Sequence, residues 1–103
     1  MISLYQNTAS GLANILSQVD KATLTDNSGQ NHVSNLVGTE IISGNTNITV
    51  RVSITINAST MLIITDIKLS QGTTDYLLIT GLNIALNTGV NTIVLNLEIP
   101  YIT

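Results

Sequence analysis

The sequence predicts an all-β protein: a single β-sandwich, Ig-like or jelly roll, of about seven to eight strands, preceded by a short N-terminal helix or extended arm. From Ile48 to Ile56 every second residue is apolar and those between are polar, as in a strand with one buried face. Comparable segments recur about every 8 to 12 residues, separated by turn signals. The apolar residues also suit a pleated sheet, because the chain has 15 Ile and 13 Leu but no Phe or Trp.

Residues 1–21 differ from the rest and are predicted to be an N-terminal arm or short helix outside the sandwich. Apolar residues at helical spacing from Leu12 to Val19 predict about three turns of amphipathic helix, with Ser10 as a candidate N-cap. The alternative is an extended arm through Ile2 and Leu4 that pairs with the edge of a sheet. In either form, an apolar segment outside the domain is a candidate contact between subunits, unless it packs on its own domain. The candidate contact residues are Ile2, Leu4, Leu12, Ile15, Leu16 and Val19.

Residues 22–103 are predicted to form one β-sandwich domain without a linker. Turn residues such as Asp, Asn and Gly separate the strands at 26–29, 43–45, 71–73 and 87–89. The second strand has a predicted break or bulge at Gly38, and the fourth is apolar on both faces, as a central strand would be. Pro100 ends the last strand. The predicted strands are 22–25, 32–42, 46–57, 61–69, 76–80, 82–86 and 90–99.

The surface composition favours a structural or binding role. Only nine of the 103 residues are charged, whereas the chain has 15 Thr and 12 Asn. A surface of hydroxyls and amides repels its own copies weakly and therefore packs readily against them. The three cationic residues, Lys21, Arg51 and Lys68, are scattered and the net charge is −3, which argues against nucleic acid as a partner. The expected partners are copies of the chain or other proteins of one assembly.

No residue pattern indicates catalysis, a metal or a cofactor, so we expect a non-enzymatic protein. His32 is the only histidine and the chain has no cysteine, which leaves no nucleophile–base or metal-ligand motif. Residues 26–31 include several side chains with oxygen atoms, so a calcium site is an alternative interpretation of this segment. Asp and Asn at these positions are also typical of a turn. Two segments match the N-glycosylation pattern, at Asn47 and Asn57.

The N-terminal residues have no basic region followed by an apolar run, and so do not predict a secretory signal. No apolar run approaches about 20 residues, so no membrane insertion is expected. A composition typical of extracellular proteins without a visible signal predicts a location in a virion or on an extracellular surface.

Two stretches carry a family resemblance, 54–72 (ITINASTMLIITDIKLSQG) and 87–100 (NTGVNTIVLNLEIP). They resemble the Ig-like sandwich ectodomains of archaeal surface filaments and the small β-sandwich structural proteins of viruses that infect hot-spring archaea. This resemblance implies a thermostable structural subunit of a virion (capsid, vertex or decoration protein), or alternatively of a cell-surface or spore filament. The chain lacks the long apolar helix of pilins. A further alternative is a glycan- or receptor-binding module, which an exposed aromatic cluster around Tyr76 and Tyr101 would favour.

Overall fold

A computed structural model describes all 103 residues and consists of one helix and eight strands, confirming a mostly β chain with a short helix. The elements, in chain order, are α1 (Gln6–Leu16), β1 (Lys21–Asp26), β2 (Asn31–Ser34), β3 (Leu36–Ser43), β4 (Asn47–Ala58), β5 (Leu62–Gln71), β6 (Thr74–Ile79), β7 (Ile84–Leu86) and β8 (Gly89–Pro100). α1 is neither long nor apolar enough to cross a bilayer.

Two antiparallel sheets share one hydrophobic core. The first has the order β2-β1-β5-β6, with β7 also paired to β5, and the second has the order β3-β4-β8. β4 is the central strand of the second sheet, and its alternation appears as predicted, with Val50, Val52 and Ile54 fully buried. β5 is the central strand of the first sheet, as its apolar sequence predicted, and buries Ile64 and Ile67.

The predicted strand 32–42 is interrupted at Asn35, and not at Gly38. β2 ends at Ser34 in the first sheet, and β3 begins at Leu36 in the second. Gly38 lies in a regular register opposite Ser53 without a bulge. The chain can change sheets within one residue because the Ser34 hydroxyl donates to the Thr55 carbonyl and accepts from the Leu36 N–H. A side chain thereby supplies the hydrogen bonds that the ladders lose at the corner.

The N-terminal segment contains both an extended arm and a helix, the two forms predicted as alternatives. Residues 1–5 are an extended arm, and α1 follows with Tyr5 as its N-cap, so that Ser10 lies inside the helix. The helix packs against β4 and β8. Its buried residues are Ala9 and Ala13, whose small side chains allow a close approach to the sheet.

Candidate assembly edge

β8 is a long strand that is paired along only one side. It forms an uninterrupted antiparallel register with β4, from Gly89 opposite Ala58 to Pro100 opposite Asn47. No strand lies along its other side, because β8 is the last strand of its sheet. A strand of 12 residues is long for an edge, since natural edges are commonly short or interrupted.

One hydrogen bond shows which backbone groups of β8 face this open side. The Tyr101 N–H donates to the Thr46 carbonyl at 2.9 Å, just beyond the paired strands. In an antiparallel ladder, hydrogen-bonding direction alternates from residue to residue. The odd-numbered residues of β8 therefore bond to β4, whereas the even-numbered ones direct their N–H and C=O groups outward. The residues with an outward N–H are Val90, Thr92, Val94, Asn96 and Glu98.

The side chains of these five residues lie on the outer face of the second sheet. Val90 and Val94 are 74% and 51% exposed. Glu98 carries the only charge in the strand, and Asn96 accepts a hydrogen bond from Arg51 of β4 at 3.3 Å. Lysines, bulges and internal prolines commonly protect an edge from pairing with another chain, and none occurs between 89 and 99. This edge is therefore competent to accept another strand.

The N-terminal arm closes one end of this edge. The Ile102 N–H donates to the Leu4 carbonyl at 2.8 Å, and Tyr5 forms an isolated parallel bridge with Ile102. Pro100 has no N–H, so the open donors end at Glu98. Beside the arm is an apolar groove of about 400 Å³, lined by residues 1–4 and 100–102. The arm thus pairs within its own chain, as the extended alternative predicted for a sheet edge.

The other edges are shorter. β2 has four residues, β6 has six and β7 has three. β3 has eight, and its Thr39 hydroxyl donates to the Ser17 carbonyl at the end of the helix. β8 therefore offers the longest open row of backbone groups.

The predicted subunit contacts occupy different environments. Val19 is buried in the core of its own chain, and Leu4 and Leu16 pack partly buried against that core. Leu12 and Ile15 are exposed on one flank of the helix, and Ile2 is 90% exposed in the arm. The exposed three are free to contact another molecule, whereas Val19 is occupied within the fold.

Val90 and Val94 are not among the candidate contacts predicted from the sequence. The sequence does show that both valines lie on the outer face of an alternating strand. They share that face with the polar residues Thr92, Asn96 and Glu98. A single exposed aliphatic side chain is common on protein surfaces and does not by itself indicate an interface. Val90 and Val94 become candidate contacts because the sheet order places β8 at an edge.

A second polar cluster surrounds Asp26, at the turn between β1 and β2. Asp26 Oδ1 accepts from the Ser28 N–H at 2.9 Å, the Ser28 hydroxyl at 2.6 Å and the Gln30 N–H at 3.0 Å. Its Oδ2 lies 2.8 Å from His32 Nε2. The Asp26 side chain is 4% exposed and that of His32 is 24% exposed. Asp26 therefore organises the turn, as its position predicted, and His32 is its partner across the hairpin.

These hydrogen bonds hold the pKa of the Asp26 carboxyl well below its usual range, with His32 the largest cause, followed by the Ser28 hydroxyl. Burial opposes them. Because an ionised carboxylate only accepts hydrogen bonds, His32 Nε2 is the donor of this pair.

The cluster lacks the arrangement of a nucleophilic triad. The Ser28 hydroxyl donates to Asp26 and not to the imidazole, so its proton has no path to His32. No group of three or more His, Cys, Asp or Glu side chains is placed to hold a metal ion. Both Asp26 oxygens are already engaged by protein donors, which disfavours the calcium alternative.

The two predicted glycosylation sites both lie on β4. Asn57 is exposed on β4, and Asn47, at the start of that strand, is half-buried. Tyr101 is buried, and its hydroxyl donates to the Gly44 carbonyl. Tyr76 donates to Gln71 at 2.7 Å. Since Tyr101 is buried, the two tyrosines do not form an exposed aromatic cluster.

Comparison with protein-family models, with curated proteins and with solved structures found no match for this chain.

Proposed function

We propose that this chain is a non-enzymatic structural subunit that assembles with copies of itself through the β8 edge and the N-terminal arm. The observation that carries the proposal is the open side of β8, where five alternate residues direct their backbone groups outward and no lysine, bulge or internal proline blocks strand addition. Main-chain hydrogen bonds across such an edge give affinity, and the flanking side chains give register.

The electrostatics of the surface support the same role. A net charge of −3 spread over 103 residues opposes association of identical copies only weakly. The outer face of the second sheet combines hydroxyl and aliphatic side chains with the hydrogen-bonded pair Arg51 and Asn96. Pairing along the β8 edge joins backbone groups and leaves the charged side chains of this face, such as Arg51 and Glu98, in solvent.

A virion is the setting that we favour, with the chain as a capsid, vertex or decoration protein. This choice rests on the resemblance of 54–72 and 87–100 to small structural proteins of archaeal viruses, together with the low charge. We assign the two sheets to an Ig-like or jelly-roll sandwich on the same basis. A subunit of a cell-surface or spore filament is the alternative setting, and it requires the same edge. A glycan- or receptor-binding module is less favoured because Tyr101 is buried.

Light scattering of the full chain over a concentration series tests the proposal. We expect a mass that rises with concentration to an oligomer or filament, and a monomer at every concentration would overturn the proposal. Deletion of residues 1–4 tests the contribution of the arm separately. We expect the mass measured by light scattering to fall at a given concentration, while circular dichroism shows that the fold is retained. A deletion as far as residue 21 is unsuitable, because Ala9, Ala13 and Val19 belong to the core.

A further inference from the structure

We infer that the partner of β8 is β8 of a second copy, paired antiparallel about a two-fold axis at Val94. This inference rests on the proposed function and specifies its first contact. The result would be a continuous six-stranded sheet with the order β3-β4-β8-β8-β4-β3, running across two molecules.

The position of the axis follows from the outward backbone groups. In a two-fold pairing centred on Val94, Val90 lies opposite Glu98 of the second copy and Thr92 lies opposite Asn96. All five outward residues then exchange both of their hydrogen bonds, which makes roughly ten across the interface. An axis at residue 93 or 95 would bring Thr88 or Pro100 into the ladder. Thr88 precedes the strand, and Pro100 can accept a hydrogen bond from Val90 but has no N–H to donate in return, so only the axis at Val94 completes every pair within β8.

The ends of the edge fit this register. The second copy's β8 begins at Gly89, where φ is +109° and the chain turns. Its strand therefore stops short of the position opposite Ile102, which the arm of the first copy already occupies through Leu4. The last pair of the proposed ladder, Glu98 with Val90 of the second copy, lies four residues before the contact of the arm at Ile102. A longer foreign strand would have to displace the arm.

The side chains are also compatible with pairing of identical copies. Val94 faces its own counterpart, and two β-branched side chains across a strand pair stabilise a sheet. Thr92 and Asn96 face each other as hydrogen-bonding groups. The only charge, Glu98, faces Val90 and stands about 27 Å from the other Glu98, at about 3.4 Å per residue. At that separation salt screens the repulsion between the two carboxylates.

Disulfide formation tests the register directly, because the chain has no cysteine of its own. In the proposed pairing the two Val94 Cα atoms lie about 5.5 Å apart, within the range that a disulfide spans. We expect Val94→Cys to form a cross-linked dimer under mild oxidation. Val90→Cys and Glu98→Cys should each remain uncrosslinked alone and should form a mixed disulfide when combined. Val33→Cys is the matched control, because it is a 57% exposed valine on the edge strand β2.

Substitution with lysine gives an independent measurement. Val94→Lys places two ammonium groups opposite each other at the axis, and we expect association to weaken by about tenfold or more. Val33→Lys adds the same charge at similar exposure and should leave the association unchanged.

The possible results separate the two proposals. If the full chain assembles but Val94→Cys does not cross-link, or Val90→Cys cross-links equally well alone, the two-fold register is wrong while self-assembly stands. If the full chain remains monomeric by light scattering, the proposed function fails and the dimer with it.

Discussion

The Ser34 hydroxyl donates a hydrogen bond to the Thr55 carbonyl and so joins the last residue of β2 in one sheet to β4 in the other. Ser34 is 5% exposed, and its oxygen also accepts the Leu36 N–H at 3.2 Å. The corner at Asn35 therefore depends on one buried side chain that serves as both donor and acceptor.

We expect Ser34→Ala to lower the free energy of unfolding by about 1–2 kcal/mol, because the Thr55 carbonyl and the Leu36 N–H both lose the hydrogen bond that the Ser34 hydroxyl makes. Urea denaturation measures this change. Ser59→Ala is the control, since Ser59 is exposed and should change stability by less than about 0.5 kcal/mol. Equal effects of the two substitutions would contradict the role of Ser34 at the corner.

Ala13→Leu should destabilise the fold by about 1–3 kcal/mol, because Ala13 is 1% exposed where the helix contacts the sheet. The added side chain must push the helix away from β4 or adopt a strained rotamer. Thermal unfolding followed by circular dichroism checks this. Asn14→Leu, at the next and exposed position, is the control. A neutral Ala13→Leu would mean that the helix is loosely packed.

Gly11→Ala should stabilise the protein by roughly 0.5–1 kcal/mol. Gly11 lies in the interior of α1 and is exposed, and a Cβ added there meets no atom within 4 Å. Alanine restricts the unfolded chain more than glycine does and favours the helix. The measurement is the midpoint of chemical denaturation. Gly29→Ala, at a turn glycine with φ +86°, should destabilise instead, and the opposite order would contradict the structure.

Stability should fall in acid through Asp26. The folded-state pKa of this carboxyl is below its usual 3.8, so its stabilisation is present above that pH and is lost as the pH falls toward the folded value. Asp26→Asn should lower the melting temperature by several degrees at pH 6 and flatten its decline below pH 4. Some decline should persist, since the Ser70 hydroxyl and Lys68 also lower the pKa of Asp75. Melting curves of both proteins at pH 2 to 7 test this, and parallel curves would contradict it.

Alternation and turn chemistry determined most of the strands. β4 and β8 each begin and end within one residue of their predicted limits, because one face of each is apolar and a turn rich in Gly and Asn, at 43–45 or 87–89, precedes each strand. The turn at Asp26 was predictable for the same reason: the carboxylate and Gly29 satisfy local backbone requirements. Such features depend on residues that are near in the chain.

The buried face of the helix was not predictable from the spacing of apolar residues alone. Spacing selected the face that includes Leu12 and Ile15, yet the fold buries Ala9 and Ala13. A periodic pattern indicates that a helix has an apolar side, but the distance to the sheet decides whether large or small side chains fit there. That distance is set by β4 and β8, which lie far away in the sequence.

The sequence by itself determined the class of the protein: strands with aliphatic inner faces, a surface with few charges, and no motif for chemistry. Only the tertiary structure decided that the chain changes sheets at Asn35, that His32 meets Asp26, and that β8 is an edge. Strand order depends on pairing between distant segments, for which many arrangements bury similar apolar area. The candidate assembly edge is a consequence of that order, because the same β8 sequence between two strands would have no open backbone groups.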